Sequence, residues 1–211
     1  MSFGKNCIHS TLAKYALSLD TASDNFAAKW RPELEATLQQ FPDETGRCVL
    51  QQIQILDALT DHIQRLEDRI LSRIQTTPTI QRAQTVPGPA KVLAIVIDRE
   101  LGSIDRFSAA KHFTSDCGLV PKLSASAGRA HYGHMVKQCN TYLKWAFIEA
   151  VNVLVAHRDH PNWRGKYVVH LCETTRRRQG HSVAVGATAR YLAESTYWVF
   201  EKSEPYREPP H

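Results

Sequence analysis

Cys48-Val-Leu-Gln-Gln-Ile-Gln-Ile-Leu-Asp-Ala-Leu-Thr-Asp-His-Ile-Gln-Arg-Leu-Glu-Asp-Arg-Ile-Leu-Ser-Arg-Ile74 decides the fold class, because its apolar residues keep a seven-residue period. Val49, Leu56, Ile63 and Ile70 recur at every seventh position, and Leu59 and Leu66 fill the second seam position. Ile53 and Ile74 widen the stripe, while Gln52 and Arg73 interrupt it near its ends. That spacing predicts one helix of roughly 27 residues, long enough to pair as a coiled coil. The pattern leaves two uses open for the stripe: packing on the chain's own helices, or pairing with a second copy. A helix of this length beside a small domain points to an oligomer contact through residues 48–74.

Upstream, Ser10 is placed to cap a helix over Thr11–Leu19, and Asn25 a second helix from Phe26 in which Pro32 falls early. Phe41-Pro-Asp-Glu-Thr-Gly46 reads as a turn. Downstream, residues 77–90 form a polar connector ending in Val86-Pro-Gly-Pro-Ala90, and an apolar helix runs from Lys91 to about Arg99. Helix, Val-Pro-Gly turn, small residue and helix resembles half of a helix-hairpin-helix, in which backbone N–H groups at a helix start face a phosphate; Ala90 stands where the turn's usual second glycine falls. A plain helix connector fits the same residues. Ser108 is placed to cap Ala109–Cys117, which Gly118 ends, and Asn140 to cap an amphipathic helix running to about His157. Further helices are predicted over Tyr167–Arg178 and from Ser182 to about Phe200, followed by a proline-containing tail. Strand signal is confined to the neighbourhoods of Ile95 and Tyr132. The expected class is therefore mainly α: a helical and coiled-coil region over 1–80, a compact basic helical domain over 81–205, and a tail over 206–211.

Charge is unevenly distributed along the 211 residues, whose net charge is +5. Residues 1–85 hold 9 Lys/Arg against 10 Asp/Glu, whereas residues 111–190 hold 12 against 4. A basic half joined to a neutral half is the footprint of a polyanion binder, although a solvated basic face has the same composition. Cys7, Cys48, Cys117, Cys139 and Cys172 are scattered, odd in number and without a CxxC pair. This argues against a disulfide framework and a cysteine zinc site. Met1–Ser10 has no hydrophobic segment of a secretory signal, and no apolar run approaches the roughly 20 residues of a membrane span. The expectation is a protein of the cytoplasm, associated with the nucleoid and not with membrane.

The segment Gly118-Leu-Val-Pro-Lys-Leu-Ser-Ala-Ser-Ala-Gly-Arg-Ala-His-Tyr-Gly-His-Met-Val-Lys-Gln-Cys-Asn140 gathers what phosphate chemistry needs. Ser124 and Ser126 offer nucleophilic oxygens, Gly128 and Gly133 allow close backbone approach, and Arg129 and Lys137 can face a developing oxyanion. Taken by itself, the segment reads as a basic loop that contacts phosphate rather than as a catalytic one.

Gly118-Leu-x-Pro121, five residues to Ser126, then Gly128, Gly133, Lys137 and Asn140, resembles the C-terminal domain of the IS110 insertion-sequence transposases. Val86-Pro-Gly88 and Asp105-Arg-Phe107 upstream, and Ala187-x-Ala-Arg190 with Tyr206 downstream, keep the family's order over roughly residues 48–206. Ala127 and Cys139 stand where the family carries glycine. The resemblance implies a two-part DNA recombinase. A RuvC-like N-terminal domain holds divalent metal, Mg2+, on four acidic residues, and the C-terminal domain supplies a serine that attacks a DNA phosphodiester. It also implies a structured guide RNA that pairs with the DNA, and protomers joined through the long helix. On this chain the serine is Ser126, with Ser124 as the fallback. Arg129, Lys137 and Asn140 match polar positions of the motif, and Lys144 and Arg176-Arg-Arg178 add cations for DNA or RNA backbone. Helix capping explains Asn140 equally well.

No acidic domain of that kind is expected within these residues, so the chain itself is read as holding no metal and as cleaving no strand alone. Asp98, Glu100 and Asp105 read as surface acids. His131-x-x-His134 and His157-x-x-His160 have ligand spacing without an evident third ligand. Trp145, Trp163, Tyr167 and Trp198 are expected in the core rather than as base-stacking platforms. The alternative of another class is a non-catalytic DNA- or RNA-binding oligomeric module.

Overall fold

A computed structural model describes residues 2–17, 31–126 and 129–209; for residues 2, 3, 123–126, 129–132 and 134 the description is of the backbone. The expected second helix around Asn25 and Phe26, and the turn residues Ala127 and Gly128, lie outside the described residues. The protein is mainly α, with helices in two units, Met1–Ser72 and Arg73–His211.

The first unit holds α1 (Ser2–Lys14), α2 (Arg31–Leu38) and the long helix α3 (Asp43–Arg73). Ser10 does not cap α1 but lies inside it. Its hydroxyl and that of Thr11 bond back to the Cys7 carbonyl at 2.8 and 2.9 Å, satisfying the side chains locally. Pro32 falls in the first turn of α2, where its missing N–H costs no intrahelical bond. The expected turn over 41–46 shortens: α3 begins at Asp43 because Pro42 O accepts the Gly46 N–H at 2.9 Å, closing the first turn. Asp43 and Glu44 then sit at the positive end of the helix dipole.

The seven-residue stripe of α3 has two fates. Val49, Ile53 and Leu56 are buried with Ile8, Leu12, Leu34 and Phe41 in one small core. Leu59, Ile63, Leu66 and Ile70 continue the same stripe on the surface, with Leu66 58% exposed. Ile74 lies beyond the end of α3 and packs against the core of the second unit.

The second unit is built around α9 (His181–Glu201), against which α4 (Pro78–Ala83), α6 (Ala110–Asp116), α7 (Thr141–Ala156) and α8 (Tyr167–Gln179) all pack. Ala184, Thr188, Ala189, Ala193 and Thr196 keep the buried face of α9 small, so neighbouring helices approach closely. Phe113 of α6 fills the centre and meets Phe107 and Phe147 edge-on at 5.3 and 6.0 Å between ring centroids. Ser182 is an interior residue of α9, whose N-cap is Gly180.

The connector over 77–90 is not wholly irregular. Thr77 accepts the Ile80 N–H with its hydroxyl, Pro78 takes the first helical position, and α4 forms. The Val86-Pro-Gly88 turn then leads into α5 (Lys91–Leu101). Gly88 has φ +102°, and a Cβ there would lie 2.9 Å from the Ala150 carbonyl oxygen. Glycine is therefore required both by conformation and by the close pass of this turn over α7. Ser108 bonds the His112 ring at 2.9 Å instead of capping α6, whose N-cap is Ala109. Ile95 is a buried residue of α5, not of a strand.

The tail is docked. The Tyr206 hydroxyl meets that of Tyr191 at 2.9 Å, the Tyr206 N–H donates to Thr85 Oγ1 at 2.8 Å, and Arg82 donates to the Ser203 carbonyl at 3.3 Å. Among the described residues no helix is long and apolar enough to cross a membrane.

Candidate functional site

Residues 119–140, without helical period, fold as an antiparallel hairpin of β1 (Pro121–Ser126) and β2 (Arg129–Met135). Tyr132 lies in β2, as its strand signal indicated. In sequence, Ala127 and Gly128 lie between the two strands. The hairpin is legible in hindsight: Leu123, Ala125, Ala130 and Tyr132 alternate with Ser124, Ser126, Arg129 and His131.

That alternation matters through the register. Ser126 pairs with Arg129, Ala125 with Ala130, Ser124 with His131 and Leu123 with Tyr132, with an irregularity between Pro121 and Leu123. Directly opposite residues share a face and successive residues alternate. Ser126, Ser124, Arg129 and His131 therefore occupy one face of the ladder. In backbone register, Ser124, Ser126 and Arg129 are neighbours at this end of the ladder.

The other end is fixed to the core. The Leu119 N–H donates to the Thr114 carbonyl at 3.0 Å, Val136 N–H to Val120 O at 3.1 Å, and Asn140 N–H to Asp116 O at 2.8 Å. Gly118 ends α6 at φ +64°, and a Cβ there would lie 2.4 Å from Cys139 Sγ. The left-handed residue at the hairpin base is thus Gly118, and Cys139 takes no positive φ but packs its thiol into the space the glycine leaves. Burial pushes the neighbouring Cys117 thiol well above its ordinary range, with Asp116 and Cys139 reinforcing the shift. A thiol so strongly protonated is not a nucleophile at neutral pH.

Asn140 caps α7, its Oδ1 accepting from Tyr142 and Leu143 N–H at 3.0 and 3.1 Å, while its Nδ2 donates to Glu100 of α5 at 3.0 Å. Lys144 donates from Nζ to Val136 O at 3.2 Å, so it helps hold the strand exit. Lys137 is exposed beside them. Arg176, Arg177 and Arg178 are exposed on the last turn of α8, a separate place in the unit and a favourable one for cations near a helix C-terminus. Below the hairpin, Pro121, Gly133 and Met135 face Val183, Gly186 and Arg190 of α9 across a groove of about 400 Å³. The hairpin motif and the Ala187-x-Ala-Arg190 motif thus meet at one groove.

Two expected core residues lie at the surface: Trp145 and Trp198 are about half exposed. Trp163 does pack against the core, and Tyr167 stacks on Tyr191 at 5.1 Å. Asp98 lies beside Arg99, and Asp105 accepts from Ser103. His160 Nδ1 accepts the Asn162 N–H. Among the described residues no group of three or more His, Cys, Asp or Glu side chains is arranged to hold a metal ion.

Residues 80–168, from α4 through the hairpin to the start of α8, match the transposase family IS116/IS110/IS902. The resemblance drawn from the motif order stands. The transposase-family segment contains the whole hairpin, its anchors at Glu100 and Asp116, and α7. A relative is the transposase for insertion sequence element IS1111A of Coxiella burnetii (strain RSA 493 / Nine Mile phase I), 22% identical over 142 residues. That similarity covers 67% of this chain and 38% of the relative, so the chain spans well under half of the relative's length.

Proposed function

We propose that this chain carries the serine-bearing part of a DNA transposase and that Ser126 is its nucleophile. The observation that carries the reading is the hairpin register, which sets Ser126, Ser124, Arg129 and His131 on one face within the transposase-family segment. Ser126 Oγ attacks a DNA phosphorus, an Oγ–P bond forms and the P–O3′ bond breaks. The serine proton is lost as the departing 3′ oxygen gains one. The phosphoserine link conserves the ester, so a 3′-hydroxyl of another strand can reverse the step and join DNA to DNA. Arg129 neutralises charge on the attacked phosphate, while Lys137 at the hairpin base and Arg176–Arg178 contact other backbone phosphates. Asn140 and Lys144 hold the hairpin exit. A structured guide RNA belongs to the same reading as a second nucleic-acid partner.

Among the described residues no three His, Cys, Asp or Glu side chains are grouped to hold a metal ion. The reading assigns the Mg2+-holding carboxylates to a separate acidic domain, and no step here runs through metal. The surface half of the α3 stripe supports joining of protomers, which would let one copy meet an acidic domain carried by another.

The test is a covalent adduct. Purified protein, labelled DNA carrying element ends, matching RNA, Mg2+ and a separately supplied acidic domain are mixed and resolved under denaturing conditions. An adduct lost in Ser126→Ala and kept in Ser124→Ala supports the reading. The reverse moves the nucleophile to Ser124, and salt-sensitive binding without any adduct leaves a binding module.

A further inference from the structure

Tyr142 and Trp145 stand near the start of α7, in its first and second turns, with 64% and 48% of their surfaces exposed. Three residues apart, they are neighbours on one helix face. The helix beneath them is rigidly held: Leu143, Ala146 and Phe147 are fully buried, and Asn140 ties the helix start to α5. Two large aromatic faces are thus kept in water on a support that does not yield.

Cations predominate in their setting, although Glu149 lies one turn on from Trp145 and Glu100 is bonded to Asn140 at the helix start. From Cys117 to Ile148 there is no Asp or Glu, while Lys122, Arg129, Lys137 and Lys144 fall in the same span. A second copy docking symmetrically here would set this basic surface against itself, since a two-fold contact repeats the same patch on both sides. Polyanions with flat apolar faces suit it better. Single-stranded nucleic acid supplies both features: phosphates for the cations and bases for the rings.

We infer that Tyr142 and Trp145 form a stacking platform for unpaired nucleobases, with Lys137 holding the adjoining phosphates. The inference rests on the transposase reading above and adds a strand path to it. From the base pair Pro121–Met135 to the Ser126–Arg129 pair is five residues of strand, about 17 Å. A melted strand stacked at the hairpin base therefore reaches the serine face within a few nucleotides. Because every base has a π face, the platform holds strands with little regard for sequence.

The full chain is titrated into labelled oligo(dT), oligo(U) and a duplex of equal length, with binding followed by anisotropy across a salt series. Trp145→Ala and Tyr142→Ala each weaken single strands roughly tenfold with an unchanged salt slope, and Trp145→Phe recovers most of the loss. Lys137→Ala instead lowers the salt slope by about 1. Loss confined to oligo(U) assigns the platform to RNA, loss confined to oligo(dT) to DNA, and both support it. If Trp145→Ala binds single strands like the parent while the Ser126-dependent adduct persists, the platform falls and the transposase reading stands. If the parent binds no single strand, the platform falls too, and the adduct assay separately decides the transposase reading. Unchanged binding with loss of self-association, measured by sedimentation, overturns the inference in favour of a protein contact.

Discussion

Asn140 donates its side-chain amide to Glu100 at 3.0 Å while the same side chain's oxygen accepts two backbone N–H groups of α7. One residue thereby joins α5 to α7 at the point where the hairpin re-enters the core. Its motif position and its capping geometry coincide, which explains why the sequence supported both roles.

Asn140→Ala removes the cap and leaves Glu100 without this donor, and is expected to lower stability by about 2 kcal/mol. Asn140→Ser keeps a cap oxygen and loses only the bridge, so its loss is smaller. Asn140→Asp keeps the cap but sets a carboxylate against Glu100, and pairing it with Glu100→Gln recovers stability. Urea midpoints for these variants and the double variant measure the coupling directly; equal losses for Ala and Ser would show that the cap contributes nothing beyond the bridge.

Gly118 and Cys139 are reciprocal. In Gly118→Ala the new Cβ meets Cys139 Sγ at 2.4 Å in a residue held at φ +64°. Steric conflict and left-handed strain act together, the second alone worth about 1–2 kcal/mol. Adding Cys139→Gly removes the conflict but not the strain, so the double variant recovers part of the loss. Thermal unfolding of the single and double variants reads this. A double variant no better than Gly118→Ala would mean that strain alone sets the cost.

The sequence makes the helices legible wherever an apolar period meets an unambiguous stop: the α3 period, the Gly118 stop of α6 and the Asn140 cap of α7 all appear where residue chemistry places them. Serines misled as caps. Ser10, Ser108 and Ser182 each have another use or position, since a hydroxyl satisfied by a helix carbonyl or a histidine is locally indistinguishable from a cap. The hairpin was obscured because Ser and Ala dominate its strands and have weak strand preference, although their alternation carries the register. Trp145, expected in the core, lies one step round the helix from the buried Ala146 and Phe147, on its open side.

Alkaline stability reports on two acids, the buried Cys117 and the half-buried Tyr206. Burial raises Cys117 above its ordinary value of 9.0, and burial with the Tyr191 hydrogen bond raises Tyr206 above 10.0. In both, the folded state retains a proton that the unfolded chain gives up. The stability they contribute is present below these values and is lost as pH rises past 9 and then 10. Urea midpoints between neutral pH and strongly alkaline pH should fall, less steeply from the first value in Cys117→Ala and from the second in Tyr206→Phe. An unchanged slope in both variants would place the sensitivity elsewhere.

The two halves of the α3 stripe should respond oppositely to substitution. Ile53 is 2% exposed, so Ile53→Ala opens a cavity in the first unit's core at a cost of about 2–5 kcal/mol, independent of protein concentration. Ile63→Asp with Leu66→Asp touches the exposed half, where the changed side chains stay in water and the protomer's own fold is spared. If this half pairs protomers, the double variant sediments as a smaller species, and the parent's melting temperature rises with concentration while the variant's does not. Identical sedimentation of parent and variant would show that the exposed stripe joins no copies. The Ser126 adduct would then require its acidic partner to be brought by some other contact.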